Sequence, residues 1–133
     1  HDRYRRQRQM CIRDSNYKLF VTIIGEPISN KSDVKFGMVM DFDNLKKIVK
    51  SEIINEFDHS VIFNKNSPHR ELADELIKNG HKVILANYQP TIEEMIVDFA
   101  KRISSKLPAE IKLHSLRLEE TETSYSEWFA ADN

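Results

Sequence analysis

Between Tyr17 and Ile24 the chain alternates, so that Leu19, Val21 and Ile23 share one face of an extended segment and Phe20 and Ile24 the other. This β-branched and aromatic run predicts a strand with both faces at least partly covered, ended by the turn signal Gly25-Glu26-Pro27. Ile28 to Lys35 reads as polar loop. Gly37 to Phe42 predicts a second strand, paired with the first as a long-looped hairpin. The period then changes. Phe42, Leu45, Ile48, Val49, Ile53 and Phe57 recur every three to four residues, predicting an amphipathic helix capped by Asp41 or Asp43, with Lys46, Lys47 and Lys50 on its wet side.

Past that helix come Asp58, His59 and the segment Ser60 to Asn64, then a short helical pattern from Glu71 to Lys78 closed by Asn79-Gly80. His81 to Ala86 reads as a short strand or extended connection. Thr91 and Glu94 form a capping box opening a second long helix, whose stripe is Ile92, Met95, Ile96, Phe99, Ala100, Ile103 and Leu107 and which Pro108 stops. From Ile111 to Thr121 a further strand carries Leu116 and Leu118 in phase with His114 and Glu120. Ile111 and Leu113 are out of phase with them, which predicts a bulge near His114. Thr123 to Phe129 supplies a last, aromatic strand. Strand pairs at both ends with two long helices between them give the order ββααββ, an α+β domain with the helices on one face of an antiparallel sheet.

A chain of 133 residues, 40% of them hydrophobic, suits one domain with a modest core. No apolar run approaches the roughly 20 residues that span a bilayer, and no signal segment is visible, so the expected location is cytoplasmic. The single cysteine, Cys11, excludes an internal disulfide framework and a cysteine-rich zinc module. Residues 1–15 hold five arginines and no hydrophobic period, which alone would suggest a basic arm for nucleic acid. Met10 to Asp14, however, looks like the translation of a transposon-end adapter from sequencing libraries. The expectation is that residues 1–15 are non-native and add nothing to the fold, and that 16–133 form the single domain. Setting those five arginines and two aspartates aside leaves fifteen basic against nineteen acidic side chains, a balance that fits neither nucleic acid nor membrane as partner.

Two places carry candidate chemistry. Asp58 and His59 follow a helix C-terminus, where the macrodipole favours an imidazolium and brings a histidine into acid-base range; the plainer reading is a polar cap on a solvent-facing turn. Glu120 lies in the acidic run Glu119, Glu120, Glu122, which by itself reads as a solvated strand end. His59, His69, His81 and His114 show no His-x-His spacing, so no metal ligand is assigned. Glu94 is accounted for by capping.

The stretches NYKLFVTI, GMVMDFDNLKKIV, FDHSVIFN, QPTIEEM and LEETETSY together resemble, in order, the 6-pyruvoyltetrahydropterin synthase superfamily. From Asn16 onward the resemblance is greatest to the bacterial 6-carboxytetrahydropterin synthases of queuosine biosynthesis. It implies a tunnelling fold (T-fold), sheets closed into a barrel by trimers, two trimers stacked as a homohexamer, and active sites between subunits. It also implies a pterin substrate, a zinc ion held by three histidines, and a catalytic cysteine working with an Asp-His pair. Asp58 and His59 match that catalytic pair. Glu120 and Thr121 match the motif whose glutamate anchors the pterin, and a carboxylate can accept the paired N–H groups of an aminopyrimidinone as it does those of a guanidinium.

The departures lie ahead of Asn16. Arg13, Asp14 and Ser15 stand where the family's His-Gly-His and its neighbours are expected, and the cysteine role is not transferred to Cys11. The first strand and the zinc ligands are therefore expected to be lost and the chain as written inactive. The activity implied for the native protein is a zinc-dependent carbon-carbon lyase, 6-carboxy-5,6,7,8-tetrahydropterin synthase. The alternatives are the sister 6-pyruvoyltetrahydropterin synthase reaction and a non-catalytic pterin-binding oligomer.

Overall fold

The computed structural model describes residues 17–25, 40–58 and 60–133, together with the backbone of residues 6–13. Four strands, β1 (Arg6–Arg13), β2 (Lys18–Gly25), β5 (Lys112–Glu119) and β6 (Tyr125–Phe129), form one antiparallel sheet in the order β1-β2-β5-β6. Three helical segments run on without a break from Asp41: α1 (Phe42–Val49), a π-helical turn (Lys50–Ile54) and α2 (Asn55–Phe57). Then come β3 (Val61–Asn64), α3 (Arg70–Lys78), β4 (Val83–Ala86) and α4 (Ile92–Ser104).

The core fills the space between the sheet and the two long helical stretches. Leu19, Val21 and Ile23 of β2 and Leu113, Leu116 and Leu118 of β5 meet Leu45, Val49 and Ile53 from one helix and Met95, Ile96, Phe99 and Ile103 from the other, all buried. Most of the expected stripe residues are buried, whereas Ile48, Phe57, Ile92 and Leu107 are partly buried and Phe42, at the start of α1, is exposed. On β5 the register steps from Thr22↔Ser115 to Ile23↔Leu113, leaving His114 as the extra residue. The bulge returns Leu113 and Ile111 to the face that Leu116 and Leu118 occupy.

Local signals account for the helix ends. The Asp41 carboxylate accepts the N–H of Asp43 at 3.2 Å, and its carbonyl accepts that of Leu45 at 3.1 Å. Thr91 Oγ1 accepts the N–H of Glu94 at 3.3 Å, as a capping threonine does. Gly80 ends α3 with φ at +84°, a conformation costly for a residue with a Cβ, while its N–H donates to the carbonyl of Ile77 at 3.0 Å.

Three expectations need correction. The strand read from Gly37 to Phe42 does not hold for its described part: Met40 and Asp41 are not in a strand and Phe42 is already helical, because the Asp41 cap starts the helix there. Gly37 to Val39, and the loop of the expected hairpin, lie outside the described residues. Secondly, residues 1–15 do not all stand apart from the fold and the first strand is not lost, since Arg6–Arg13 pair with β2 residue by residue from Arg6↔Gly25 to Arg13↔Lys18. Main-chain hydrogen bonds alone can add such a strand, so an apolar period is not required. Thirdly, the order ββααββ is interrupted between the two long helices: the short helix and short strand expected there are present as α3 and β4, and β4 pairs in parallel with β3 from Val61↔Val83 to Asn64↔Ala86.

Candidate active site

The end of α2 is held in place from several directions. The N–H of Asp58 closes the helix on the carbonyl of Ile54 at 2.9 Å, after which Asp58 turns to an extended conformation. The Ser60 hydroxyl and N–H both donate to the carbonyl of Phe57, at 2.7 and 3.2 Å. Lys82, just ahead of β4, places its Nζ on the carbonyls of Asn55 at 2.6 Å and Asp58 at 3.0 Å. A cation there satisfies orphan carbonyls and opposes the negative end of the helix dipole.

Behind this turn, Arg102 of α4 ties the two helical stretches together. Its Nε donates to Asp98 at 3.0 Å, its Nη1 to the carbonyl of Glu52 at 3.3 Å and to the Glu56 carboxylate, and its guanidinium lies 4.9 Å over the Phe57 ring. Tyr88 donates its hydroxyl to the other Asp98 oxygen at 2.8 Å. Burial, and then this bond to an anionic partner, push the Tyr88 phenol above its ordinary range. Phe57 meets Phe99 edge-on at 5.0 Å.

These contacts frame a cavity of about 340 Å³ between the helices and the sheet, within the size range of small-molecule sites. Phe57, Asp58 and Ser60 form its helical wall, and Tyr17, Leu19 and Leu118 its sheet wall. One oxygen of Asp58, Oδ1, is sealed from solvent. His59 lies outside the described residues.

Glu120 follows β5 directly and is exposed at the end of the strand that carries Leu118 into the cavity. Its charge reaches Tyr17, whose phenol is raised first by burial and then by that carboxylate. Glu119 serves the opposite face. There it accepts from Arg117 Nε at 2.8 Å, and with Phe20, Thr22, Ser115 and Glu127 it lines a separate, polar hollow. Thr121 shapes the β5–β6 turn: its Oγ1 accepts the N–H of Ser124 at 3.0 Å, while Ser124 O accepts the N–H groups of Glu120 and Thr121 at 2.9 and 3.2 Å. Its hydroxyl thus holds the turn that presents Glu120. The structure places Asp58 in the cavity wall and leaves Glu120 exposed just past the end of β5, near Tyr17, and sequence reasoning missed Tyr17, Ser60 and Lys82. Tyr17 could have been found from its phase with Leu19; the main-chain contacts of Lys82 leave no such signal.

Matched against known proteins, residues 9–130 fit the family described as 6-pyruvoyl tetrahydropterin synthase. The chain belongs to that family. Among curated relatives, the 6-carboxy-5,6,7,8-tetrahydropterin synthase of Haemophilus influenzae is 35% identical over 113 residues, covering 84% of this chain and 77% of its own. The protein of the same name from Rickettsia typhi is 30% identical over 115 residues, covering 84% and 78%. Among solved structures, an uncharacterized protein from Wolinella succinogenes superposes with a TM-score of 0.68 at 16% identity, over 95% of this chain and 96% of that one. The 6-pyruvoyl tetrahydropterin synthase of Caenorhabditis elegans does so with a TM-score of 0.52 at 18% identity, over 95% and 93%. The fold is the α+β tunnelling fold expected from the sequence.

Family membership raises the question of zinc. Among the described residues no three His, Cys, Asp or Glu side chains gather closely enough to hold a metal. His69 precedes α3, His81 precedes β4, and His114 sits in the β5 bulge with its ring edge-on to Phe129 at 6.5 Å. The described residues therefore do not fit the ion. Among them, too, no helix is long and apolar enough to cross a membrane.

Proposed function

We propose that the protein is a 6-carboxy-5,6,7,8-tetrahydropterin synthase, which with water converts 7,8-dihydroneopterin triphosphate to 6-carboxytetrahydropterin, acetaldehyde and triphosphate. The observation that carries this reading is the cavity walled by Asp58 on one side and by Tyr17 and Leu118 on the other, with Glu120 just past the end of β5 and its charge felt at Tyr17. The names of the curated relatives support the choice of reaction.

In this reading Glu120 accepts the two N–H groups of the pterin's pyrimidinone edge, so that the six-position side chain extends towards Asp58. Asp58 orients His59, which exchanges a proton with a side-chain hydroxyl during carbon-carbon cleavage. The apolar floor of Leu19, Leu118 and Phe99 excludes water and strengthens both interactions. A cytoplasmic location and a homohexamer of two trimers belong to the same proposal, as does a zinc ion, whose ligands would come from outside the described residues.

The test is product analysis. The protein, and a version with a cysteine and His-Gly-His restored ahead of Asn16, are incubated with dihydroneopterin triphosphate, and pterins and acetaldehyde are resolved by chromatography and mass spectrometry. A 6-carboxy product with acetaldehyde is expected from the restored protein. A 6-pyruvoyl product without acetaldehyde would move it to the sister reaction, and binding without turnover in both forms would make it a pterin-binding oligomer.

A further inference from the structure

An aminopyrimidinone edge presents three groups in a row: a carbonyl acceptor, a ring N–H and an exocyclic amine. A single carboxylate accepts from the last two and leaves the carbonyl to another donor. This inference rests on the reading of the cavity as a pterin site and concerns that third partner.

The register of the sheet points to it. Leu19↔Leu118 and Lys18↔Glu119 are paired across β2 and β5, so Tyr17 and Glu120 are the residues next beyond the end of that ladder, and the Glu120 charge reaches Tyr17. Because side chains alternate, Tyr17 shares the face of Leu19, and Glu120 stands beside it at the strand end. Tyr17, Leu19 and Leu118 all line the cavity, and Tyr17 also packs against the core, which fixes its ring. Among the described residues its hydroxyl has no side-chain hydrogen-bond partner; Glu120 reaches it through charge alone. Burial and that charge keep the phenol protonated well above neutrality, so the group remains a donor at working pH.

We propose that Tyr17 is a ligand-binding residue whose hydroxyl donates to the ring carbonyl of an aminopyrimidinone while Glu120 accepts from the two neighbouring N–H groups. Together they read the full edge. The carboxylate alone would also accept a guanidinium or an amidine, whereas adding a donor beside it selects rings with a carbonyl next to the paired N–H groups.

The experiment uses neopterin as the probe and its fluorescence as the readout, on the full chain. Tyr17→Phe keeps the ring and its packing and removes only the hydroxyl. The dissociation constant for neopterin is expected to rise about tenfold, the usual scale for one hydrogen bond to a ligand. Tyr125→Phe, on the opposite face over Arg117, is the control and should bind as the parent does. If Tyr17→Phe binds neopterin as tightly as the parent while Glu120→Gln is weakened, the assignment of Tyr17 is overturned and the pterin reading stands. If the parent chain itself fails to bind neopterin, both fall together.

Discussion

Lys82 holds Asp58 by its main chain: Nζ donates to the Asp58 carbonyl at 3.0 Å, and the Lys82 carbonyl accepts the N–H of Val61 at 2.9 Å. The turn from helix to strand is thus tied at both of its ends to one residue on the edge of another element. Lys82→Met should lower stability by about 1 kcal/mol, the scale of a cation at a helix C-terminus, and Lys82→Arg should retain most of it. Urea denaturation measures this, and an unchanged midpoint in Lys82→Met would show that the clamp contributes nothing to the folded state.

Glu119 and Glu120 differ in surroundings although they are neighbours in sequence, Glu119 being bonded to Arg117 and Glu120 exposed past the strand end near Tyr17. Glu120→Gln should weaken neopterin binding by roughly ten- to a hundredfold, since it removes a charge-assisted pair worth roughly 1.5–3 kcal/mol. Glu119→Gln should leave binding intact, because its carboxylate is engaged with Arg117 on the far side of the sheet. Equal losses at both positions would take Glu120 out of the site.

Tyr88 predicts an alkaline dependence of stability. Its phenol is raised by burial and by the bond to Asp98, so the unfolded chain ionises first, near pH 10. Its contribution is whole below that point and is lost as pH rises through the higher folded value. Above about pH 10, and not below it, the melting temperature of the parent should therefore fall more steeply than that of Tyr88→Phe. Parallel curves for the two proteins would contradict this linkage.

His114 gives a prediction about register. Deleting it would make the β5 ladder regular and turn either Leu113 and Ile111 or Leu116 and Leu118 out of the core. Exposing two such side chains should cost about 3 kcal/mol or more. His114→Ala keeps the count and should cost far less, losing mainly the contact with Phe129. Similar urea midpoints for the deletion and the substitution would show that the bulge does not set the register.

Elements whose side chains repeat were legible in the sequence. The stripe of α4 recurs over three turns and is largely buried as written, and the conflict between Ile111-Leu113 and Leu116-Leu118 located the bulge before any partner strand was known. Elements made by main-chain pairing at a distance were not. Val61–Asn64 carries no alternation, and its parallel partner lies beyond a whole helix, so neither strand announces the other. The basic residues of Arg6–Arg13 hid a strand for the same reason. Met40 to Phe42 misled because an apolar run continues straight into a cap, and in such a place a single carboxylate decides between extended and helical backbone. In the site, Asp58 and Glu120 stood out by motif. Tyr17 was legible only through its phase with Leu19, and Lys82 acts on carbonyls that every residue possesses.

The π-helical turn at Lys50–Ile54 gives the site a dependence on counting. There the N–H of Asn55 reaches back five residues to the carbonyl of Lys50, so this turn takes up one residue more than its neighbours. Each residue of an α-helix advances the face by about 100°, so the residues beyond the turn are offset by about that angle from an uninterrupted helix. Phe57 and Asp58 meet the cavity because of that offset. Losing any one residue between 50 and 54 would let the helix regain its ordinary pitch, leave Leu45 and Val49 in the core, and swing the carboxylate away from the ligand space. Phe57 and Asp58 would still be present, aimed elsewhere.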